Sequence, residues 1–468
     1  MTTRTRSTLF WLFVVLFFVG GTSLILYVSG YRLNLETGKI EKVGGTFIKT
    51  NTRNYEVTLS GHNYKTTRYP VTSELFVSDL TPGTYTMETK KDHFLPWKKE
   101  FTVLPSLVTS FKSILLLPDT FSPETLFTQK SPTETFTLSP HNDTLIFPDE
   151  ASPKTTLYDL STGEALRNLK EQDIKNITWL SNNTSFFYEQ NFSQNTILVS
   201  GEKTLRIQNA FKKSLVALYS ASKITIRHIY PHPFEPKLII HANVGVYIFD
   251  PIKLESVLLT DIDPITLTLN NSSVYFLDTE GKLYSENLIT KNVNTDVRIP
   301  LLAIKKTPHE DWHLLLSPDG KTNAIWNTTT LALYIEMQNT NTFSPISTKA
   351  SSPLFSLDSR KLAYLEETSP IIYWLDQDEE LQKKIGQKDV LSPKLPITKL
   401  TWYKDNSHLF GYTGSKELHL FDIDNRIPIN STRIDGAISH YIYNSDTNIL
   451  FYLHEGKLLK LDFNFPTN

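Results

Sequence analysis

An all-β chain behind a single apolar helix is what this sequence predicts, on three observations. Leu9–Val28 (LFWLFVVLFFVGGTSLILYV) contains no charge. Beyond it, apolar and polar residues alternate with the period of two that marks half-buried strands, as at Tyr55, Val57 and Leu59. From Phe136 to the C-terminus, short apolar runs then recur behind Asn, Asp, Ser and Pro turns at a spacing of about 43 residues, the length of a four-stranded blade. The predicted architecture is therefore a transmembrane helix, a small β-sandwich and a β-propeller of eight, alternatively seven, four-stranded blades.

Each part has its own warrant. The uncharged segment covers the roughly 30 Å hydrocarbon core at about 1.5 Å per residue. Arg4 and Arg6 precede it, and Trp11, Tyr27 and Tyr31 suit the two interfaces. Residues 1–8 are expected inside, 9–28 across the bilayer as an uncleaved anchor, and 29–43 as a juxtamembrane stretch. Val19-Gly20-Gly21 is a poor cleavage site, with Leu24–Val28 still to come.

Residues 44–117 form the small module. Tyr85, Met87 and Thr89 share one strand face, while Ser60–Asn63 and Thr81–Gly83 supply turns. Six or seven strands in so short a span indicate a sandwich. Residues 118–135 are read as a linker and a ring-closing strand, Thr125–Thr128. The last repeat in 136–468 holds three strands and needs a fourth, and a closed ring has no free edge.

The second strand of each repeat is read at Thr144–Phe147, Ser185–Tyr188, Lys237–Ile240, Ser273–Phe276, Asn323–Trp326, Lys361–Tyr364, His408–Gly411 and Asn448–Phe451. Third strands end on an acid at Asp159, Asp250, Asp376, Asp422 and Asp462. A carboxylate there can accept N–H bonds from the following turn, so a capping role is expected for each. Asn209–Tyr219 interrupts the repeat with Phe211, Leu215 and Leu218 at helical spacing, fitting either an inserted helix or a fourth strand. Trp179 and Trp402 occupy equivalent first-strand positions and are read as packing between blades.

Composition excludes several functions. With 47 basic and 49 acidic residues there is no global field to attract nucleic acid. Zero Cys rules out disulfides, thiolate metal sites and a Cys nucleophile. No G-x-S-x-G or G-x-x-x-x-G-K-[ST] occurs. Sequons such as Asn191–Ser193 and Asn327–Thr329 follow from abundant Asn and Thr. His309-Glu-Asp-Trp-His313 spells HExxH, but that zinc chemistry needs a helical turn to stack the two imidazoles; on a strand they stand roughly 13 Å apart. His228, His232 and His241, and the pairs Asp376/Asp378 and Asp422/Asp424, lack a ligand set in register. No catalytic, cofactor-binding or metal residue is assigned, and no cofactor is expected.

Gly45–Lys49, Leu80–Lys90 and Trp97–Val103 resemble the PEGA domain, over about a sixth of the chain. Asn51–Tyr55 stands where the name-giving Pro-Glu-Gly-Ala would be, and Asp92-His-Phe94 replaces a Gly-aromatic pair. Leu316-Ser-Pro-Asp-Gly-Lys321 and its degraded copies resemble the WD-like repeats of TolB-type propellers. These resemblances imply an envelope protein of bacteria. The apolar segment behind Arg4 and Arg6, with no second one after it, is read as a single pass of the cytoplasmic membrane, N-terminus inside and domains extracytoplasmic. The expected function is non-catalytic binding or scaffolding through propeller loops. The partners would be the lipid bilayer through residues 9–28 and a protein or cell-wall polymer, with no nucleic acid. The alternative is an extracytoplasmic propeller hydrolase or lyase acting on glycan or peptide.

Overall fold

A computed structural model describes residues 3–33, 38–65, 73–128, 135–147, 155–169, 174–190, 196–201, 203–216, 224–270, 272–279, 281–290, 293–294, 311–337, 342–393 and 395–465. Asn191–Ser193, His309, Glu310 and Leu218 lie outside these residues. The N-terminal helix runs over Thr3–Val28. Within it, Arg6–Val28 contains an 18-residue window of mean hydropathy 2.5, none of it buried. Among the described residues it is the one helix long and apolar enough to cross a membrane.

The small module is a two-layer sandwich. Glu74–Leu80, Gly44–Thr50 and Val108–Ile114 form one sheet; His62–Lys65, Glu56–Leu59, Gly83–Lys90 and Trp97–Val103 form the other. Gly44–Thr50 is antiparallel to Glu74–Leu80 and parallel to Val108–Ile114. Alternation fills the interior with Ile48, Tyr55, Val57, Met87, Trp97 and Phe111, the inward residues of both layers.

The remainder builds eight four-stranded antiparallel sheets among the described residues. We number them in chain order: 137–169, 174–206, 226–260, 266–294, 312–347, 350–390, 397–435, and sheet 8 over 438–462. Sheets 1 to 7 each consist of four sequential strands, and the first strands of sheets 4 and 5, and of sheets 6 and 7, touch one another. This is the topology of a β-propeller, with first strands innermost. In sheet 8 the outermost place is taken by Glu124–Thr128, antiparallel to the chain's last strand, Lys457–Asp462. The ends of the ring are therefore joined by backbone hydrogen bonds.

A repeated turn explains why the Ser-Pro-Asp-Gly unit recurs. Ser317 Oγ donates to Asp319 (2.7 Å) and accepts from the Thr322 amide (2.9 Å). Ser356 repeats this with Asp358 and the Lys361 amide. The next position takes a positive φ, as Gly320, Ser359 and Asn406 do. These turns also join neighbouring sheets: the Asp319 amide donates to Ser359 Oγ (3.0 Å) and the Asp358 amide to Asn406 Oδ1 (3.2 Å).

The described part of the interrupted stretch is helical, and the fourth strand precedes it. Lys203–Arg206 is the fourth strand of sheet 2, and helix Ile207–Ser214 follows at once. Its Phe211 packs on Tyr247 and Phe249 of sheet 3. Gly245, which opens the third strand of that sheet, has φ +121°, and a Cβ there would meet Thr260 O at 2.4 Å. Gly245→Ala is expected to cost about 2–3 kcal/mol from backbone strain and crowding, read as a lower denaturant midpoint at unchanged slope.

Candidate functional site: the junction of sandwich and ring

Strand Trp97–Val103 has a strictly alternating burial pattern, with Trp97, Lys99, Phe101 and Val103 facing inward. Lys99 is 0% exposed. A buried ammonium needs an acceptor for each of its three N–H bonds. Its Nζ donates to Asp422 Oδ1 (3.1 Å) and to the carbonyls of Asp424 and Arg426, both at 2.7 Å. All three acceptors belong to the ring, at the end of the third strand of sheet 7 and the loop after it.

The same loop is stitched to the sandwich backbone. Asn430 Oδ1 accepts from the Lys98 amide, and its Nδ2 donates to the Lys98 carbonyl and to Asp422 Oδ2. The Glu100 amide donates to Ile427 O at 2.7 Å. Arg426 lies 4.0 Å over the Phe111 ring, with its guanidinium held by Asp424. From sheet 6, Glu380 Oε1 accepts from the Lys112 amide at 2.5 Å. Buried Lys383 pairs with Asp389 at 2.9 Å and donates to Asn425, fixing the two ring loops to each other. Leu117, just past the sandwich, joins the apolar core of Tyr403, Phe410 and Phe463.

Burial pushes the Asp422 carboxyl up and the Lys99 ammonium down in pKa; their mutual attraction opposes both shifts without cancelling them. The pair is thus held by the surrounding structure, since removing two charges from water costs more than an isolated pair regains. Beside it, burial opposes a charged His408, but Asp405, 2.7 Å from Nδ1, outweighs that and raises the His408 pKa. Asp405 is held below the usual carboxylate range, where the His408 charge overcomes its own burial.

A raised folded pKa contributes stability that is complete below the unfolded value of about 6.5 and is lost as pH rises through the folded value. Unfolding experiments across this range should show stability falling on the alkaline side in the parent, and a flatter profile in His408→Gln.

The structure separates the acids that end third strands. Asp159 accepts from the Ser161 and Thr162 amides, Asp250 from Ile252 and Lys253, and Asp462 from Asn464. Asp376 accepts from the Gln377 amide and pairs with Arg360, beyond a strand that ends at Trp374. Asp422 departs from the expected capping role because Lys99 and Asn430 take both of its oxygens.

The other sequence candidates are dispersed. His313 lies on strand Trp312–Leu316, 5.6 Å from the Trp326 ring. His232 Nδ1 accepts from the Phe234 and Glu235 amides of its own turn. His228 and His241 sit opposite each other in sheet 3, and buried His241 contacts Asp263 at 3.0 Å. Burial brings the His241 pKa down to about 4 against the pull of that carboxylate. Trp402 donates across to Leu354 O of sheet 6, and Trp179 packs on Phe186 within its own sheet.

No family model matches the chain, and no curated protein matches it. Among solved structures it is similar to Hsv2 of Kluyveromyces lactis, at 10% identity and a TM-score of 0.39 over 70% of this chain and 96% of that one. It is also similar to the β-propeller domain of Cps50 (Swd1) from Myceliophteria thermophila, at 10% identity and TM-score 0.39 over 73% and 99%. A third is the computationally designed Ika8 protein, at 10% identity and TM-score 0.43 over 72% and 98%. These likenesses concern the fold alone, and the propeller rests on the sheet order and ring closure described above.

Proposed function

We propose that this chain is a membrane-anchored, extracytoplasmic binding platform of the bacterial envelope, with a PEGA-type sandwich carrying an eight-bladed ring. The observation that carries this reading is the buried junction. It makes sandwich and ring one rigid body, so a ring tethered by Arg6–Val28 would be held at a set stand-off and orientation from the membrane. Recognition through loops on a rigid scaffold needs that geometry.

The junction uses one rim of the ring, formed by the turns between first and second strands and the loops between third and fourth strands of sheets 6 and 7. The opposite rim of these sheets stays open to a protein or cell-wall polymer. Cross-linking of the full chain in its native membrane, compared with charge reversals on that open rim, tests this. Partners lost on reversal support the platform; a partner set identical to the parent's sinks it. A second reading, a hydrolase or lyase, draws on the His241–Asp263 pair beside Arg227. Turnover of envelope glycan or peptide that disappears in His241→Gln would favour it.

A further inference from the structure

We propose that the end of the sandwich next to the helix is a second membrane contact, seated in the interfacial layer of the bilayer that the helix crosses. The inference rests on the proposed anchoring and concerns different residues. The hairpin of Tyr31–Leu33 and Ile40–Lys42 begins within one turn of the helix end, where the Ser29 amide still donates to Ile25 O. Leu33 and Ile40 are direct cross-strand partners, and they are 60% and 61% exposed.

Hydrogen bonds carry this apolar edge into the sandwich. The Val43 amide donates to Gly30 O, the Ser106 amide to Val43 O, and the Gly45 amide to Leu107 O. The turn so attached presents Leu104, Leu107 and Val108, all exposed. Val108 is the parallel partner of Gly45, and the exposed Phe76 ring lies over that glycine, 3.2 Å from where a Cβ would be. Six exposed apolar side chains are thus carried on segments that backbone hydrogen bonds tie together around the point where the chain leaves the helix. Soluble surfaces seldom leave such a patch uncovered.

The occupant is fixed by position and charge. The patch adjoins a helix that is wholly unburied and apolar, so lipid that covers the helix also reaches the patch. Arg32 closes the angle between them: it donates to Tyr27 O (2.7 Å), lies 3.7 Å over the Tyr27 ring and pairs with Asp79 at 2.8 Å. The Lys42 ammonium lies 5.1 Å from the Tyr31 ring. Tyrosines flanked by cations are the groups favoured at headgroup depth, with aliphatic side chains dipping about 5–10 Å further.

The test uses the full-length chain in liposomes of phosphatidylethanolamine and phosphatidylglycerol. The natural chain has no Cys, so Val15→Cys, Ile40→Cys, Leu107→Cys and Ile252→Cys each take one environment-sensitive fluorophore. Expected is loss of emission at 15 with a nitroxide deep in the acyl chain, loss at 40 and 107 with a shallow nitroxide, and neither at 252. If 15 is quenched while 40 and 107 respond only to aqueous iodide, as 252 does, the anchor stands and the second contact is overturned. A probe at 15 that escapes both lipid quenchers overturns the anchoring, and this contact with it.

Discussion

Lys99→Ala is expected to destabilise the docked state by about 3–5 kcal/mol, the usual consequence of removing one partner from a buried ion pair. Asp422 would keep Asn430 and lose the ammonium paired with it, while the carbonyls of Asp424 and Arg426 would lose their donor. Spin labels at Glu56→Cys in the sandwich and Lys253→Cys on the ring should give one narrow distance in the parent and a broad distribution in the variant. Lys98→Ala is the control: its ammonium reaches Glu88 on an exposed surface, where such pairs contribute about 0–1 kcal/mol. Lys99→Met with Asp422→Leu should recover much of the loss, because an apolar pair of similar volume avoids the desolvation cost. A narrow distance retained in Lys99→Ala would mean that the junction is held by Leu117 and its neighbours instead.

How much of this could be read in advance differs between ring and junction. The second strands stand where recurrence placed them, at Thr144–Phe147 and from Lys361, because a fully buried strand between two polar turns leaves a local signature. Helix Ile207–Ser214 is ambiguous in sequence because the apolar run after Asn209 is too short to fix its period, and the fourth strand meets it with no turn residue between. Asp422 was unreadable: its local sequence matches Asp159 and Asp462, and its distinct role comes from Lys99, more than three hundred residues away. One signal did exist. In Trp97-Lys-Lys-Glu-Phe-Thr-Val103 the alternation that buries Trp97, Phe101 and Val103 also buries Lys99, and a cation in that register calls for an anion from outside the strand.

Phe127→Asp is expected to open the ring. Strand Glu124–Thr128 bonds through its backbone to sheet 8, while the half-buried Phe127 ring lies 5.4 Å from Phe147 and 4.4 Å from Tyr158 of sheet 1. One short segment therefore holds both sides of the closure, by hydrogen bonds on one side and aromatic packing on the other. Truncating a packed aromatic and placing a carboxylate among rings together cost about 3 kcal/mol or more. The larger consequence is topological. Releasing this strand bares the edge of Lys457–Asp462 and the adjoining faces of sheets 1 and 8, so two ends can fray where a closed ring has none. Amide exchange in Lys457–Asp462 should accelerate well before the middle sheets respond, and the variant should aggregate on mild heating. Leu166→Asp, at an exposed position on the outer strand of sheet 1, should leave both readouts unchanged. If Phe127→Asp kept the parent's exchange in that strand, packing between neighbouring sheets alone would suffice to close the ring.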